Sequence, residues 1–280
     1  MKVCFIAICS EEYLKYYDVL YNSLKKHAPY YKQMFFYIGN DQRQLDYDQY
    51  IHINDWYNEC DPSYNRLERI CSLRARAVLE TFKEGYDVVV FLGAKVEFFQ
   101  FPNKLIDPFI YGNTCQAVVT PHILEPLPED DKFPSNASVS FTGHISTDVI
   151  SFRNCPEIIK FLEWQDEIMK TKVKTTKETY LDQSWLNFLP FFVDKVRILR
   201  DPGYNYAYWR YKPGNFMKLN NRYTILNDSN IMGNYFHELT CFQYSGLDLN
   251  HPENISTHQN RYKAEGDFLE FLRDYAEKVK

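Results

Sequence analysis

The sequence has little glycine and no long apolar run, and each absence excludes a class of protein. Its 280 residues include only 10 glycines beside 23 tyrosines and 21 phenylalanines, which excludes disordered and low-complexity chains. No apolar run approaches the roughly 18 residues of a membrane-spanning helix. The formal net charge is −5, whereas general nucleic-acid binders usually carry a net positive charge. We therefore expect a soluble chain with no membrane span and no nucleic-acid partner.

The sequence also lacks a paired-cysteine motif. Its seven cysteines are scattered and none forms a C-x-x-C pair, so neither a disulfide framework nor a zinc site is expected. The first apolar stretch is short and runs into Ser10, Glu11 and Glu12, which is typical of a first strand and not of a signal peptide. Reduced thiols and the absence of a leader together predict a cytoplasmic location.

The strongest strand signal lies in YDVVVFLGAKVEFF, residues 86–99. Val88 to Leu92 form a continuous apolar run that is too short for a buried helix, and it predicts a strand that is buried on both faces. A second short strand is predicted from Glu97 to Phe99. Ligands in open α/β sheets collect beyond the carboxyl ends of the strands. We therefore expect a ligand at residues 93–95.

Strands and helices alternate along the chain as they do in a Rossmann-like sheet. The first half reads β-α-β-β-α-β with parallel connections, and no G-x-G-x-x-G follows its first strand, so a dinucleotide dehydrogenase is not expected. The predicted strands are 3–9, 34–38, 50–53, 88–92, 97–99, 117–120, 148–152 and 196–199. The predicted helices are 13–27, 66–82, 156–169, 180–189 and 267–280.

The chain shows neither an internal repeat nor a linker, which predicts one domain over residues 1–280. Within that domain we expect a nucleotide-binding half at 1–100 and an acceptor and catalytic half at 101–262. A closing amphipathic helix is expected at 263–280.

Four segments follow one another in an order and spacing that carry a resemblance. They are AICSEEYL (7–14), SLRARAVLE (72–80), YDVVVFLGAKVEFF (86–99) and ETYLDQSWLNFLP (178–190). Two further segments, DPGYNYAYW (201–209) and FQYSGLDLNHPENISTHQNR (242–261), follow the fourth. Together they resemble the nucleotide-sugar glycosyltransferases of the GT-A fold, in particular the lipopolysaccharide galactosyltransferases, glycogenin and related bacterial capsule or O-antigen transferases. The resemblance covers residues 1 to 261.

The resemblance implies a fold and a reaction. The fold is α/β, a Rossmann-like mixed sheet flanked by helices in a single GT-A domain. The reaction is transfer of a hexose or pentose from a nucleotide-sugar donor, with UDP-sugars preferred, to a hydroxyl of a glycan or glycoconjugate. A bacterial cytoplasm or that of a virus-infected host cell suits such an enzyme. The donor sugar, the acceptor, the anomeric outcome and the oligomeric state stay open.

The resemblance also implies a donor site. In the relatives the uracil base stacks on a tyrosine, and Tyr13 matches that residue. A tyrosine at the start of a helix can equally pack on the core. Arg76 is the preferred arginine for the diphosphate or sugar, and Arg74 is the alternative. The tail at 256–261 is expected to close over the phosphates. The implied donor-binding residues are Ile8, Cys9, Ser10, Tyr13, Asp41, Arg74, Arg76, Gly93, Ala94, Lys95, Gln243, Gly246, His258 and Arg261.

The metal-binding motif of the relatives is missing. They carry D-x-D and a later histidine that bind Mn²⁺ or Mg²⁺, whereas this chain has Gly93, Ala94 and Lys95 at the triplet and Gln243 at the histidine position. We therefore expect no metal ligands and no required cofactor, with Lys95 neutralising the diphosphate. Two alternatives stay open, a metal held with Glu97 as its one protein ligand, and a non-catalytic nucleotide-sugar or glycan-binding module.

The resemblance places Asp182 and Gln183 at the sugar end of the donor. Asp182 is then the first candidate for the general base, and Asp148 is the second. Aromatic residues in the segment 201–209 are candidates for stacking on an acceptor sugar, although most such residues are core. The implied acceptor-binding residues are Tyr204, Tyr208 and Trp209.

Overall fold

The computed structural model describes residues 1–40, 47, 49–111, 115–174, 176, 178–227 and 235–280. Asp41, one of the predicted donor-binding residues, lies outside them. The strands are β1 Val3–Ser10, β2 Lys32–Ile38, β3 Tyr50–His52, β4 Val88–Leu92, β5 Val96–Phe98, β6 Ala117–Pro121, β7 Ile145–Arg153, β8 Val196–Ile198, β9 Phe216–Leu219, β10 Arg222–Asn227, β11 Tyr235–Glu238 and β12 Cys241–Gln243. The helices are α1 Leu14–His27, α2 Asn54–Glu59, α3 Arg66–Ser72, α4 Arg74–Lys83, α5 Asn103–Ile110, α6 Asn136–Thr142, α7 Pro156–Lys172, α8 Gln183–Leu186, α9 Leu189–Phe192 and α10 Gly266–Val279.

Seven strands form a mixed sheet in the order β3-β2-β1-β4-β7-β6-β8. The first four are parallel, as predicted. Strand β7 runs antiparallel to both β4 and β6, so β6 points the same way as β1 and β4. The carboxyl ends of β1, β4 and β6 and the amino end of β7 therefore share one edge of the sheet, where a ligand site is expected.

Apolar layers cover both faces of this sheet. Successive residues of β1 alternate between them because strand side chains point to opposite faces, so Phe5 joins the layer under α1 and α5 and Ile6 joins the layer under α4 and α7. All five residues of β4 are buried, which confirms the prediction of a strand covered on both sides. The predicted α/β class, a mixed sheet flanked by helices, is confirmed. The division into two halves stays a prediction.

Several predicted elements differ from the structure. The helix predicted over 66–82 is interrupted at Leu73, and its first part begins with a capping box between Asn65 and Glu68. The helix predicted over 180–189 is reduced to α8, a single turn. A small antiparallel sheet, β11-β10-β9, was not predicted, and neither was the pairing of β12 with β5. Short strands with mixed polarity give little periodic signal.

The closing helix is α10, and it packs its apolar face against the small sheet. Phe268, Phe271, Leu272 and Tyr275 are buried on that face. The seven cysteines are free thiols. Among the residues that the structure describes, no helix is long and apolar enough to cross a membrane.

Candidate functional site

A cavity of about 810 Å³ lies at the edge where β1, β4 and β6 end. It is lined by residues from both halves of the chain. Sixteen positions that the sequence analysis singled out are among them: Ile8, Cys9, Ser10, Tyr13, Arg74, Gly93, Ala94, Lys95, Asp148, Asp182, Gln183, Tyr208, Trp209, Gln243, Gly246 and His258.

Arg74 is the centre of the polar network in this cavity. Its Nη1 lies 3.0 Å from Asp182 Oδ2, and its Nη2 lies 3.0 Å from Asp148 Oδ1. The guanidinium also donates to the Thr147 hydroxyl. Burial alone would lower the pKa of Arg74, but the two carboxylates raise it above its ordinary value. Arg74 is therefore a fixed positive charge that joins α4 to β7 and to the turn before α8.

Asp182 is held behind this arginine. Asp182 is 2% exposed, and both of its carboxylate oxygens accept hydrogen bonds from Arg74 Nη1. Burial raises the pKa of this carboxyl, and Arg74 opposes that shift. This carboxylate therefore holds Arg74 in place. The role of Asp182 as the general base stays a prediction.

Asp148 fills the space that a side chain at position 93 would take. The Gly93 amide donates to the Asp148 carbonyl at 2.9 Å, and a Cβ on residue 93 would lie 2.5 Å from Asp148 Cγ. The second Asp148 carboxylate oxygen accepts a hydrogen bond from Gln243 Nε2. Glycine at position 93 is thus required by the carboxylate on the neighbouring strand.

These residues do not fit a divalent cation. Mg²⁺ and Mn²⁺ need several oxygen ligands with lone pairs to spare, whereas Asp148 is already shared between Arg74 and Gln243. In the described part of the chain, no three or more His, Cys, Asp and Glu side chains are grouped as metal ligands would be. Glu97, the alternative ligand, is buried away from the cavity, where it accepts from Tyr244 Oη at 2.9 Å and pairs with Lys278.

Lys95 follows β4 and lies beside two aromatic rings. Its Nζ is 5.0 Å from the centre of the Tyr13 ring and 4.7 Å from that of Tyr16. Burial lowers the pKa of this ammonium, and the charge of Asp148 opposes the shift. The Lys95 carbonyl accepts from the Tyr244 amide at 2.9 Å, which fixes the turn that presents the side chain.

The tail after β12 reaches the cavity through a glycine. Gly246 has a φ of +68°, and a Cβ there would lie 2.5 Å from His258 Cδ2, so glycine is needed both for the backbone angle and for the close approach. His258 lines the cavity, and its role in donor binding stays a prediction. Burial, and then the nearby Lys95, lowers the pKa of His258.

Three of the predicted donor- and acceptor-binding residues that the structure describes do not line the cavity. Arg76 is two residues from Arg74 on α4, about 200° around the helix, and pairs with Glu59 outside the site. Tyr204 is 2% exposed and belongs to the core, where its hydroxyl bonds to Asn103. Arg261 reaches Asp130 and the Pro134 carbonyl and ties down the loop before α6.

His122 is a cavity residue that the sequence analysis missed. It follows β6, and its Nδ1 lies 2.7 Å from the Gly143 carbonyl oxygen. Its ring meets the Trp209 ring edge-on, with 4.8 Å between centres. Burial lowers its pKa to about 4, so the imidazole is neutral at pH 7. The sequence does not show that β7 lies between β4 and β6 and runs antiparallel to both. That arrangement places the end of β6 at the same edge of the sheet as the ends of β1 and β4.

We predict that His122 makes the stability of the fold depend on pH. Between about pH 4 and 6.5 the unfolded chain binds a proton on this histidine and the folded chain does not. The free energy of unfolding therefore rises with pH over this window, by on the order of 3 kcal/mol for this group. Urea unfolding of the wild type and of His122→Phe at several pH values checks this. Parallel pH profiles for the two proteins would contradict it.

Comparison with known proteins finds similarity to solved structures. No protein-family model matches the sequence, and no curated protein matches it. The solved structure described as "crystal structure of a glycosyltransferase involved in the glycosylation of the major capsid of PBCV-1" is similar over 72% of this chain and 83% of its own, with 10% sequence identity and a TM-score of 0.43. Similarity at this level does not show the function of this chain.

Proposed function

We propose that this chain is a glycosyltransferase that moves a sugar from a UDP-sugar to a hydroxyl of a glycan or glycoconjugate without a bound divalent cation. One observation carries the proposal. Along the cavity, neighbouring strands present an aromatic ring after β1 (Tyr13), an ammonium after β4 (Lys95) and a carboxylate–guanidinium network on β7 (Asp148 with Arg74). That is the order of base, diphosphate and sugar in a nucleotide sugar.

The distances suit a ligand of that size. Neighbouring strands are spaced by about 4.8 Å, so two strand steps span roughly 10 Å. A base on the Tyr13 ring would have its diphosphate within reach of Lys95, whose Nζ lies 5.0 Å from the ring centre. A second cavity of about 700 Å³ shares Glu12 and Arg66 with the first and continues to the end of β2, which gives room for the nucleoside.

Lys95 would supply the charge that a metal supplies in relatives. Transfer breaks the bond between the anomeric carbon and the diphosphate oxygen and forms a bond to the acceptor oxygen. The hydroxyl proton passes to a general base, for which Asp182 and Asp148 are the candidates. The departing diphosphate takes the electron pair and must be stabilised. A D-x-D triplet with its divalent cation has no formal charge, whereas Gly93-Ala94-Lys95 has one positive charge of its own.

One observation favours a second function, a nucleotide-sugar-binding module without turnover. The two candidate bases, Asp182 and Asp148, are both engaged, since Asp182 is bound by Arg74 and Asp148 by Arg74 and Gln243. A general base must be within reach of the proton that it removes. In this arrangement neither carboxylate is free to accept that proton until the network opens.

A donor panel separates the two functions. Thermal shifts are measured with UDP-, GDP-, CMP- and dTDP-sugars, and release of free nucleotide is then measured for each sugar that binds. Binding of a UDP-sugar with release of UDP supports the transferase. Binding without release, in the presence of a saccharide mixture, supports the binding module. Binding of none of these sugars would contradict both functions.

We predict that Tyr13→Ala weakens UDP binding by roughly 1–3 kcal/mol, because an aromatic ring contributes about that much by stacking on a base. Tyr16→Ala is the matched control, since Tyr16 also lies under Lys95 but is absent from the cavity lining. Calorimetry with UDP gives both affinities. Equal losses of UDP affinity in the two variants, or no loss in Tyr13→Ala, would show that the uracil base does not stack on Tyr13.

A further inference from the structure

We infer that His122 recognises the saccharide acceptor by accepting a hydrogen bond from one of its hydroxyls on Nε2, in a subsite walled by Trp209 and Tyr208. This inference rests on the proposed function, because it assigns the acceptor end of the same cavity. His122 was not among the residues singled out in the sequence, and no role follows for it from the donor site.

The tautomer of His122 follows from its hydrogen bond. Nδ1 lies 2.7 Å from the Gly143 carbonyl oxygen, and a carbonyl oxygen can only accept, so Nδ1 carries the hydrogen. In a neutral imidazole the other nitrogen is then a bare acceptor. Since His122 lines the cavity, Nε2 is the ring nitrogen left for a ligand. A saccharide hydroxyl is a donor of the matching kind.

The histidine is held rigidly, as a recognition group must be. Arg210 donates from Nε to the His122 carbonyl at 2.8 Å, from Nη1 to the Tyr204 carbonyl at 2.7 Å, and from Nη2 to the Pro121 carbonyl. The His122 amide donates to the His144 carbonyl at 3.0 Å. The end of β6 is thereby fixed to the segment that carries Tyr208 and Trp209.

The position of His122 points to the acceptor and not to the donor. It follows β6, which is two strands from β4, where Lys95 lies, and three from β1, where Tyr13 lies. At about 4.8 Å per strand, His122 lies roughly 10 Å beyond the proposed diphosphate position, on the far side of Asp148. A group at this distance is past the sugar that is being transferred.

The walls of this subsite suit a sugar. Tyr208 and Trp209 line the cavity with 4.8 Å between their ring centres, and aromatic faces pack against the apolar faces of sugar rings.

The test compares His122→Phe with His144→Phe. Both variants lose an imidazole on neighbouring segments, but His144 is exposed and outside the cavity lining. UDP release is followed with the donor found in the panel while the concentration of each member of a set of methyl hexosides and methyl pentosides is varied. We expect the KM for the saccharide to rise about tenfold in His122→Phe, the size of one lost hydrogen bond with its partner left unpaired. The KM for the donor should stay unchanged.

The outcomes are separable from failure of the proposed function. An unchanged saccharide KM in His122→Phe would overturn the inference while leaving the transferase intact. If the wild type releases no nucleotide with any donor, the transferase fails, and saturation-transfer NMR with the same glycosides and no donor then decides the subsite. Binding that is weakened in His122→Phe and normal in His144→Phe supports the inference. Equal binding to both variants, or no binding to the wild type, overturns it.

A measurement on the unmodified protein covers the case in which His122→Phe does not fold. Long-range proton–nitrogen NMR spectra report whether each ring nitrogen carries a hydrogen. We expect the Nε2 resonance of His122 to be that of a bare acceptor, to shift when the glycosides are added, and to stay in place when UDP alone is added. A protonated Nε2, or a resonance that does not respond to any glycoside, would contradict the inference.

Discussion

Arg74→Ala is expected to lower the free energy of unfolding by roughly 3–5 kcal/mol, because removing one partner of a buried ion pair leaves its carboxylates without compensation. The side chain of Asp182 is 3% exposed and that of Asp148 is 22% exposed, so water cannot take over the role of the guanidinium fully. Turnover should be lost as well, since the same arginine fixes the sugar end of the proposed donor site. Urea unfolding and nucleotide release give the two results.

Arg76→Ala is the matched control for this change. Arg76 lies two residues further along the same helix and also forms an ion pair, with Glu59 at 2.7 Å. That pair is solvent-exposed, and exposed pairs contribute at most about 1 kcal/mol. We therefore expect little change in stability and none in turnover. Similar losses in the two variants would show that the Arg74 network is not the centre of the site.

Lys95→Ala is expected to lower kcat on the order of 10²-fold, the usual effect of removing one group that stabilises a developing negative charge. Added Mn²⁺ should not restore the rate, because the described residues include no group of side chains that could hold the ion. Lys15→Ala is the control, since Lys15 lies 5.6 Å from the Tyr16 ring centre but does not line the cavity. Nucleotide release measures both. An unchanged kcat in Lys95→Ala would show that Lys95 does not stabilise the diphosphate.

The half of the fold that the sequence predicts well is the half with strong periodicity. Residues 88–92 are uniformly apolar, and the strand is buried throughout. The order β-α-β-β-α-β follows from the patterns before it, and the parallel arrangement β3-β2-β1-β4 is observed. The second half has short strands of mixed polarity, so the insertion of β7 between β4 and β6 could not be predicted.

The details of the site depend on that insertion. Asp148 and Gly93 are far apart in sequence, and only the antiparallel register of β4 with β7 brings the carboxylate into the space beside the glycine. The same register brings the end of β6 and His122 to the cavity. Choosing Arg74 over Arg76 requires knowledge of which side of α4 faces the sheet edge, and the interruption at Leu73 hides this from a simple helical pattern.

Gly93 and Gln243, the two positions behind the expectation of no metal, both contact Asp148. Gly93 cannot regain a carboxylate without displacing Asp148, and Gln243 is engaged with that same aspartate. Both positions therefore lie at the hydrogen-bonded network around Arg74. We expect that a single carboxylate or histidine introduced at either position would not create a metal site.

The most direct test of this account is nucleotide release by the wild type in excess EDTA. The protein is freed of divalent cations, and the rate of UDP release from the UDP-sugar that it binds in the donor panel is measured with EDTA and again with Mn²⁺ added. We predict equal rates in the two conditions, because in the proposed function Lys95 supplies the charge that faces the diphosphate. Loss of release in EDTA that Mn²⁺ restores would contradict the account.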